Sequence, residues 1–154
     1  MGKLSIDINV KKEVILQFLE DPFNLQLWTV HRDLYNIDGK CYECIFGEGH
    51  ANFAEIKSSF KTLNSLVFDV HFTWSQDGVV TKSFGFQLNM ITDSQANLCL
   101  NLPDSIPEEK RNKMIRVISI ELGLLKQLME TSVINISKSD AAIMQSYHEN
   151  ISFS

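Results

Sequence analysis

The sequence predicts an α+β domain in which a seven-stranded antiparallel sheet packs against one long C-terminal helix. Apolar and polar residues alternate almost throughout Val30–Leu102, which is typical of half-buried strands. Turn-forming segments interrupt this alternation five times, which predicts six consecutive strands joined by hairpins. An earlier alternating segment adds a seventh strand, and an apolar stripe at helical spacing after Pro107 predicts the long helix.

The segment before the hairpins predicts one strand and two helices. Apolar residues alternate with polar ones over Leu4–Val10, which indicates a half-buried strand. Lys11–Glu20 changes to helical spacing. Asp21-Pro22 ends that helix, and the proline is suited to open a second, short helix that reaches Trp28.

The long helix is predicted to begin after Pro107, because two acidic residues follow in its first turn. Its apolar stripe runs to about Thr131, so residues 1–131 are predicted to form the domain. The 132–154 segment is predicted to be a C-terminal tail with one short helix at most, over Asp140–His148, and not a separate domain. Three roles stay open for this tail: packing on the sheet, mediating a dimer, or staying disordered.

Residue identity also predicts the register of the last four strands. The sets predicted to face inward are Ile56, Ser58 and Phe60; Leu66, Phe68, Val70, Phe72 and Trp74; Phe84, Phe86, Leu88 and Met90; and Leu98, Leu100 and Leu102. To keep these sets on one face, each hairpin between them needs a three-residue loop. This register places Lys57 opposite Asp69 on the solvated face. It also places Glu55 opposite His71, a second favourable pair.

Composition limits the classes of partner. The net charge of −5 argues against nucleic acid or an anionic membrane surface as the main partner. No apolar run approaches the length of a membrane span, which is about 20 residues. An odd number of cysteines, three, fits a reducing cytoplasm better than a disulfide scaffold.

The predicted order of elements resembles the helix-grip fold of the START-like superfamily, also called SRPBCC. Val14–Trp28 carries the resemblance most specifically, as a helix, an Asp-Pro step and a short helix ending in Trp. Gly39 and the Pro107-Glu108-Glu109 helix start fit as well. The resemblance covers about Leu4–Thr131. It implies a curved sheet that grips the C-terminal helix, with an apolar cavity between them.

Function varies widely among the proteins that the chain resembles. The superfamily includes birch-pollen-type allergens, lipid-transfer domains, polyketide cyclases and aromatases, and chaperone-ATPase-activator-like proteins. It has no single catalytic signature, so the resemblance assigns no catalytic role to any residue here.

The segment Cys41-Tyr42-Glu43-Cys44 has the spacing of a metal or redox motif. On an extended strand, however, side chains three residues apart point to opposite faces. We expect Cys44 to face inward with Tyr42, and Cys41 to face outward near Glu55. No metal site and no cofactor are therefore predicted.

His31 and Asp33 are weak candidates for a catalytic pair, in which the histidine acts as a general base. Their direction depends on the first hairpin. A two-residue Asp38-Gly39 turn would point both residues inward, whereas a three-residue Ile37–Gly39 loop would turn both outward. The first alternative is favoured, because the second sets Asp33 opposite Glu43, another carboxylate.

Three further polar residues are predicted near the open end of the sheet. His50 and Asn52 are expected to face inward after the second hairpin. Lys82 interrupts the inward apolar ladder and is expected opposite Phe72. It either extends its ammonium to water or anchors a ligand carboxylate or phosphate at the cavity mouth. Glu121, beside the apolar stripe of the long helix, is expected to be solvated.

The sequence predicts a protein that binds a small apolar or amphipathic ligand, lipid- or polyketide-like, in a cavity between the sheet and the C-terminal helix, without catalysis. The predicted ligand-binding residues are Trp28, Tyr42, His50, Asn52, Phe72, Trp74, Lys82, Phe84, Phe86, Ile118, Leu122 and Leu125. One alternative is a cyclase- or aromatase-like enzyme that uses polar residues at the cavity mouth. The other is a protein-interaction module that uses the outer face of the sheet. A homodimer is left open.

Overall fold

A computed structural model describes residues 2–47, 50–102 and 105–153 of the chain. The strands are β1 (Gly2–Ile8), β2 (Leu34–Ile37), β3 (Lys40–Gly47), β4 (His50–Asn64), β5 (Val67–Gln76), β6 (Val79–Thr92) and β7 (Gln95–Leu102). The helices are α1 (Lys12–Glu20), α2 (Leu25–Trp28), α3 (Glu108–Thr131) and α4 (Lys138–Phe153). The strands form one curved antiparallel sheet in the order β1-β7-β6-β5-β4-β3-β2, which confirms the predicted fold class. None of these helices is both long and apolar enough to cross a membrane.

The link between α1 and α2 follows from the Asp-Pro step. The side chain of Asp21 accepts a hydrogen bond from the backbone N–H of Phe23 at 3.0 Å, and Pro22 opens a single 3₁₀ turn that leads into α2. Trp28 ends α2 and is buried in the core. The local sequence therefore determines both the break and the new helix direction.

The long helix α3 lies on the inner face of the sheet and closes the core. Its buried apolar residues include Val117, Ile118, Leu122 and Leu125, at the spacing of one helix face. Its bounds agree with the prediction. The helix ends at Thr131, and the next residue, Ser132, adopts a left-handed conformation with φ of 60°.

The C-terminal tail forms a helix longer than the predicted Asp140–His148. The hydroxyl of Ser137 accepts a hydrogen bond from the backbone N–H of Asp140 at 3.1 Å, which caps the start of α4. This helix packs against α3 and β3, and its Met144 is fully buried. Packing on the domain is thus the arrangement observed among the three that the sequence left open.

The β4–β5, β5–β6 and β6–β7 hairpins have two-residue turns, and the predicted three-residue loops are wrong. In each hairpin one strand also carries one extra residue close to the turn; these bulge residues are Leu63, Thr81 and Ile91. A two-residue turn and one bulge residue together leave three residues unpaired, the same number as a three-residue loop. The side chains of the next strand therefore point to the same faces in both cases. The inward sets therefore lie on the predicted face, except Leu66, which is 56% exposed beside its turn.

The predicted cross-strand pairs on the outer face are wrong because the register is shifted. Lys57 pairs with Thr73, four positions beyond the predicted Asp69. Glu55 pairs with Ser75 rather than with His71. An even shift changes the partners of a residue but not its face. For the same reason the inward faces were predicted correctly while the partners were not.

The face predicted for β3 is also wrong. Cys41 lies opposite Ile56 on the inner face, and Glu43 follows on the same face opposite Ala54. Tyr42 and Cys44 therefore lie on the outer side, the reverse of the expectation. The two cysteines do lie on opposite faces, as an extended strand requires.

The first hairpin has the favoured two-residue turn. Asp38 and Gly39 have φ of 54° and 81°, the left-handed pair of a type I′ turn. Because β3 faces the other way, Tyr35 of β2 lies outside and is 49% exposed. His31 still reaches the interior, because it precedes β2 and lies in a loop.

Candidate functional site

The site begins in the loop that follows α2. The hydroxyl of Thr29 donates a hydrogen bond to the carbonyl of Leu25 at 2.6 Å and accepts one from the backbone N–H of His31 at 3.2 Å. This local hydrogen bonding fixes the backbone at the point where the chain leaves the helix. The imidazole of His31 is thereby placed in the interior, where it is 7% exposed.

Glu43 on β3 is the buried acceptor of the site, and it is only 2% exposed. Its Oε2 lies 2.7 Å from Nδ1 of His31, and its Oε1 accepts a hydrogen bond from Nε1–H of Trp74 at 2.9 Å. Burial alone would raise the pKa of this carboxyl. The hydrogen bonds from His31 and Trp74, with the charge of Lys82 and the charge that His31 carries when it is protonated, outweigh burial and lower the pKa. Glu43 is therefore a carboxylate at neutral pH.

Lys82 on β6 completes the polar chain. Its Nζ lies 3.2 Å from Nε2 of His31 and 4.7 Å from the centre of the Trp74 ring. The residue is exposed along its length, but its ammonium is turned inward. Burial of that ammonium lowers the pKa of Lys82, while the charges of Glu43 and Glu121 oppose the shift. We refer to these three linked side chains as the Glu43–His31–Lys82 chain.

The partners of His31 determine its tautomer. An ionised carboxylate can only accept, so the Nδ1 that faces Glu43 carries the hydrogen and donates it. In the neutral ring Nε2 then has a free electron pair and accepts from the ammonium of Lys82. The ring also lies against Trp74, with the two ring centres 4.8 Å apart. His31 is thus oriented to accept a proton from Lys82.

Glu121 of α3 is the second buried carboxyl of the site. It is 6% exposed, and its Oε2 accepts a hydrogen bond from the backbone N–H of Val30 at 3.0 Å. Burial raises the pKa of Glu121 to about 7, although the Val30 hydrogen bond and the charge of Lys82 lower it. The expectation that Glu121 is solvated is therefore wrong. The orientation of the Glu121 side chain is fixed by its hydrogen bond to the backbone of Val30.

His31, Lys82 and Glu121 line a partly open cavity of about 130 Å³ between the sheet and the helices. The lining residues are Leu25, Thr29, Val30, His31, Trp74, Lys82, Ser83, Phe84, Met114, Val117, Ile118, Glu121 and Tyr147. Most of the wall is apolar. The polar groups come from the loop after α2, from β6, from Glu121 on α3 and from Tyr147 on α4.

The structure brings only some of the predicted ligand-binding residues to this cavity. Trp74, Lys82, Phe84 and Ile118 line it. Lys82 lies opposite Trp74 rather than the predicted Phe72.

The other predicted ligand-binding residues lie elsewhere. Those that are buried in the core, away from the cavity lining, are Trp28, Phe72, Phe86, Leu122 and Leu125. Tyr42 is on the outer side of β3, and Asn52 is exposed near the start of β4. The side chain of His50 lies outside the described part of the chain.

The carboxylate that lies beside His31 is not the one that the sequence suggested. The carboxylate at Nδ1 of His31 belongs to Glu43, where the sequence suggested Asp33. The backbone carbonyl of Asp33 instead accepts a hydrogen bond from the backbone N–H of Cys44 at 3.0 Å, which ties the loop to β3. Sequence reasoning missed both Glu43 and Glu121. A single carboxylate within an apolar stretch, as in CYECIF and ISIELGLL, is the signal that could have found them.

The cysteines do not form a reactive centre. All three are free and buried. Burial, followed by the negative charges of Asp21 and Glu43, raises the pKa of Cys41 to about 12, so this thiol stays protonated. Within residues 2–47, 50–102 and 105–153, no group of His, Cys, Asp and Glu side chains is arranged to hold a metal ion.

Comparison with known proteins identifies the fold. No family model matches the sequence, and no curated protein matches it significantly. A conserved protein of unknown function from Enterococcus faecalis, EF2215, superposes with a TM-score of 0.54 at 18% identity, over 96% of this chain and 81% of that one. The Aha1 dimer from Colwellia psychrerythraea superposes with a TM-score of 0.51 at 15% identity, over 84% of this chain and 95% of that one. The chain has a START-like, helix-grip fold.

The likeness to these solved structures concerns the fold alone, because the sequence identity is low. The START-like resemblance that Val14–Trp28 carries is therefore confirmed at the level of architecture. Within this helix-grip fold, the candidate site consists of the Glu43–His31–Lys82 chain and Glu121.

Proposed function

We propose that the protein binds a small molecule with an apolar body and one polar group in the cavity beside the Glu43–His31–Lys82 chain. The observation that carries this proposal is the presence of His31, Lys82 and Glu121 in the lining of an otherwise largely apolar cavity. An apolar wall with a few convergent polar groups is the usual make-up of a small-molecule site. Buried groups with shifted pKa values are also concentrated at functional sites.

The volume of the cavity favours a ligand of about the size of one ring. Typical pockets for drug-sized molecules measure roughly 300–1,000 Å³. The cavity here is about 130 Å³, close to an engineered apolar cavity of about 150 Å³ that holds benzene. This size supports a smaller ligand than the lipid- or polyketide-like molecule that the START-like resemblance implies.

The polar end of the ligand would meet groups of both kinds. The ammonium of Lys82 donates hydrogen bonds, and Glu121, with a pKa of about 7, is present in both protonation states near neutral pH. A hydroxyl or carbonyl group suits this pair, since either can be bonded without adding a second buried charge. Burying charged groups lowers the stability of the folded protein. Their presence here therefore supports a role in function rather than in packing.

Calorimetric titration with phenol tests the proposal. Phenol combines one apolar ring with one hydroxyl, and toluene is the matched probe that lacks the hydroxyl. We expect phenol to bind with 1:1 stoichiometry and to bind several-fold more tightly than toluene. Ile118→Phe, which fills the cavity, should abolish binding, while Phe53→Ser on the outer face should leave it unchanged. Equal binding by wild type and Ile118→Phe would overturn the proposal.

Native mass spectrometry of the purified protein provides a second readout of the same proposal. A co-purified small molecule that is absent from Ile118→Phe would identify the natural ligand class directly. The three free, buried thiols also support a reducing compartment, and we propose the cytoplasm as the location.

A second candidate function is self-association through the outer face of the sheet. Tyr35 and Phe53 are 49% and 46% exposed there. Their rings pack edge to face, with the ring centres 5.9 Å apart. An exposed aromatic pair favours a protein interface, and we propose a second copy of this chain as its partner. Light scattering over a concentration series should show a dimer that Tyr35→Ser/Phe53→Ser dissociates. A monomer at all concentrations would contradict this candidate.

A further inference from the structure

We propose that Lys82 is a nucleophile that forms an imine with a small aldehyde or ketone held in the cavity. This inference rests on the proposed small-molecule binding and names a substrate class for the same site. It also departs from the sequence-based expectation of binding without covalent chemistry. The observation behind it is the linear arrangement of the Glu43–His31–Lys82 chain.

The arrangement has the three parts of an activated nucleophile. The base is Nε2 of His31, 3.2 Å from Nζ of Lys82. The orienting group is the carboxylate of Glu43, 2.7 Å from the opposite ring nitrogen. A nucleophile within hydrogen-bond reach of a base, with that base oriented by a third group, is the geometry shared by nucleophilic enzymes of many folds.

The orienting carboxylate is itself held in place. Trp74 donates its indole N–H to Oε1 of Glu43 at 2.9 Å, so both carboxylate oxygens are bonded. The same indole ring lies under the ammonium of Lys82. Trp74 therefore fixes the two ends of the chain relative to each other, which is the function expected of a supporting residue.

The cavity places a carbonyl compound next to the amine. Lys82 and Phe84 both line it, on the same strand and the same face of the sheet. An apolar group bound against Phe84 and Ile118 would leave its carbonyl at the polar end. Burial also lowers the pKa of Lys82, which increases the fraction of free amine at neutral pH relative to a lysine on the surface.

The reaction balances without an oxidant or a reductant. The ammonium of Lys82 gives one proton to Nε2 of His31, and the resulting imidazolium is stabilised by Glu43. The nitrogen electron pair then forms a bond to the carbonyl carbon while the C=O π pair moves to oxygen. The nitrogen then gives its second proton to that oxygen, and its electron pair forms the second carbon–nitrogen bond as the carbon–oxygen bond breaks. The oxygen leaves as water with two protons, which equal the two lost by the ammonium. A protonated C=N bond to Lys82 remains.

Glu121 can supply the proton that the departing oxygen needs. It lines the same cavity, and its pKa of about 7 keeps part of it protonated near neutral pH. After it gives its proton to oxygen, it can accept one from the His31 imidazolium through water, which restores the starting state. His31 acts through Lys82 and is therefore a positioning residue, while Lys82 touches the reacting carbon.

Reductive trapping with benzaldehyde tests this inference. A mild hydride donor converts an imine to a stable secondary amine, which intact mass and peptide mapping locate. We expect Lys82 to be modified about tenfold faster or more than Lys57, because the cavity holds the aldehyde beside the amine. Lys82→Arg keeps the positive charge and should abolish this fast phase. Lys57→Arg, on the outer face, is the matched control and should retain it.

The positioning role of His31 has its own readout. In His31→Gln the amine loses its proton acceptor, so the pH profile of Lys82 modification should move to more alkaline pH. A purely structural role would lower the unfolding midpoint without moving this profile. Glu43→Gln should move the profile in the same direction.

Two results would overturn the inference. One is modification of Lys82 at the rate of Lys57. The other is saturable binding of benzoate at Lys82 with no trapped imine, which would make the lysine an anion anchor. If phenol binds in the cavity and Lys82 is not trapped, only the imine inference fails. If phenol does not bind, the proposed function fails as well.

Discussion

The centre of the sheet and its β2–β3 edge differ in how directly their sequences reveal which face is buried. In β5, and over residues 84–90 of β6 and 96–100 of β7, every second residue is an apolar one on the face that carries α3, because burial of apolar area is the main force that selects the face. In β3 the alternation is ambiguous, and the buried face contains Glu43, a charge. Burial of apolar side chains thus determines which face of the central strands is buried. At the β2–β3 edge, the buried face is determined by polar partners that are distant in sequence.

The largest expected effect lies in the apolar centre. Leu88 is fully buried on β6, and Leu88→Ala should lower the free energy of unfolding by about 2–5 kcal/mol. Urea unfolding followed by circular dichroism measures the loss. The pH dependence of stability should stay unchanged, because no titrating group is removed. A change in that pH dependence would show that the centre and the polar site are not separate.

The second effect is a dependence of stability on pH that arises from Glu121. Its folded pKa of about 7 lies above the ordinary value of 4.5 for an exposed glutamate, so the folded state binds more protons between these values. The contribution of Glu121 is therefore present at low pH and is lost as the pH rises from about 4.5 to about 7. The loss is on the order of 3 kcal/mol, from 1.36 kcal/mol per pKa unit.

Glu121→Gln removes the titrating carboxyl and so isolates its pH-dependent contribution to the free energy of unfolding. Unfolding curves of wild type and variant near pH 5 and near pH 8 yield two stability differences, and their contrast is the contribution of Glu121. We expect the variant to gain relative to wild type at the higher pH. Parallel curves for the two proteins would contradict a raised pKa at this position.

The third effect tests whether the edge depends on paired polar groups. Glu43→Leu leaves His31 and Trp74 without their acceptor and should lower stability by about 1–3 kcal/mol. His31→Leu in the same background removes one of the orphaned donors, so the double variant should recover part of the loss. A double-mutant cycle by urea unfolding measures the coupling. Additive losses would mean that the pair is not coupled.

The smallest effect concerns α3. Gly123 lies in the helix interior, and a Cβ added there would meet no atom within 4 Å. Gly123→Ala should therefore raise stability by about 1 kcal/mol through helix propensity alone. Gly85→Ala is the contrasting variant, because its Cβ would clash with the imidazole of His71. Thermal unfolding should show a gain for the first variant and none for the second.

The structure of the central sheet could be predicted from the sequence more fully than that of the β2–β3 edge. The seven strands, the Asp21-Pro22 break and α3 are encoded by local patterns, so they were predictable. The faces of β5 to β7 were predictable too, because a bulge plus a two-residue turn preserves parity. The exact pairs were not, since no local pattern distinguishes a three-residue loop from the bulged turn at Thr81.

The candidate site was predictable only in part. Trp74, Lys82, Phe84 and Ile118 could be placed at the cavity because they follow the apolar alternation or visibly interrupt it. Glu43 could not, because its partners are 12 and 31 residues away in sequence. A buried charge is identified by its partners, and these partners become neighbours only after the chain folds.

The indole N–H resonances provide the most direct test of the proposed ligand site. The chain has two tryptophans, so two such signals are expected, and Trp28→Phe assigns them. Trp74 lines the cavity and donates to Glu43, whereas Trp28 lies in the core away from the cavity lining. Titration with phenol should shift the Trp74 signal in wild type, leave the Trp28 signal in place, and have no effect in Ile118→Phe. A Trp74 signal that stays fixed at saturating phenol would contradict a ligand site beside the Glu43–His31–Lys82 chain.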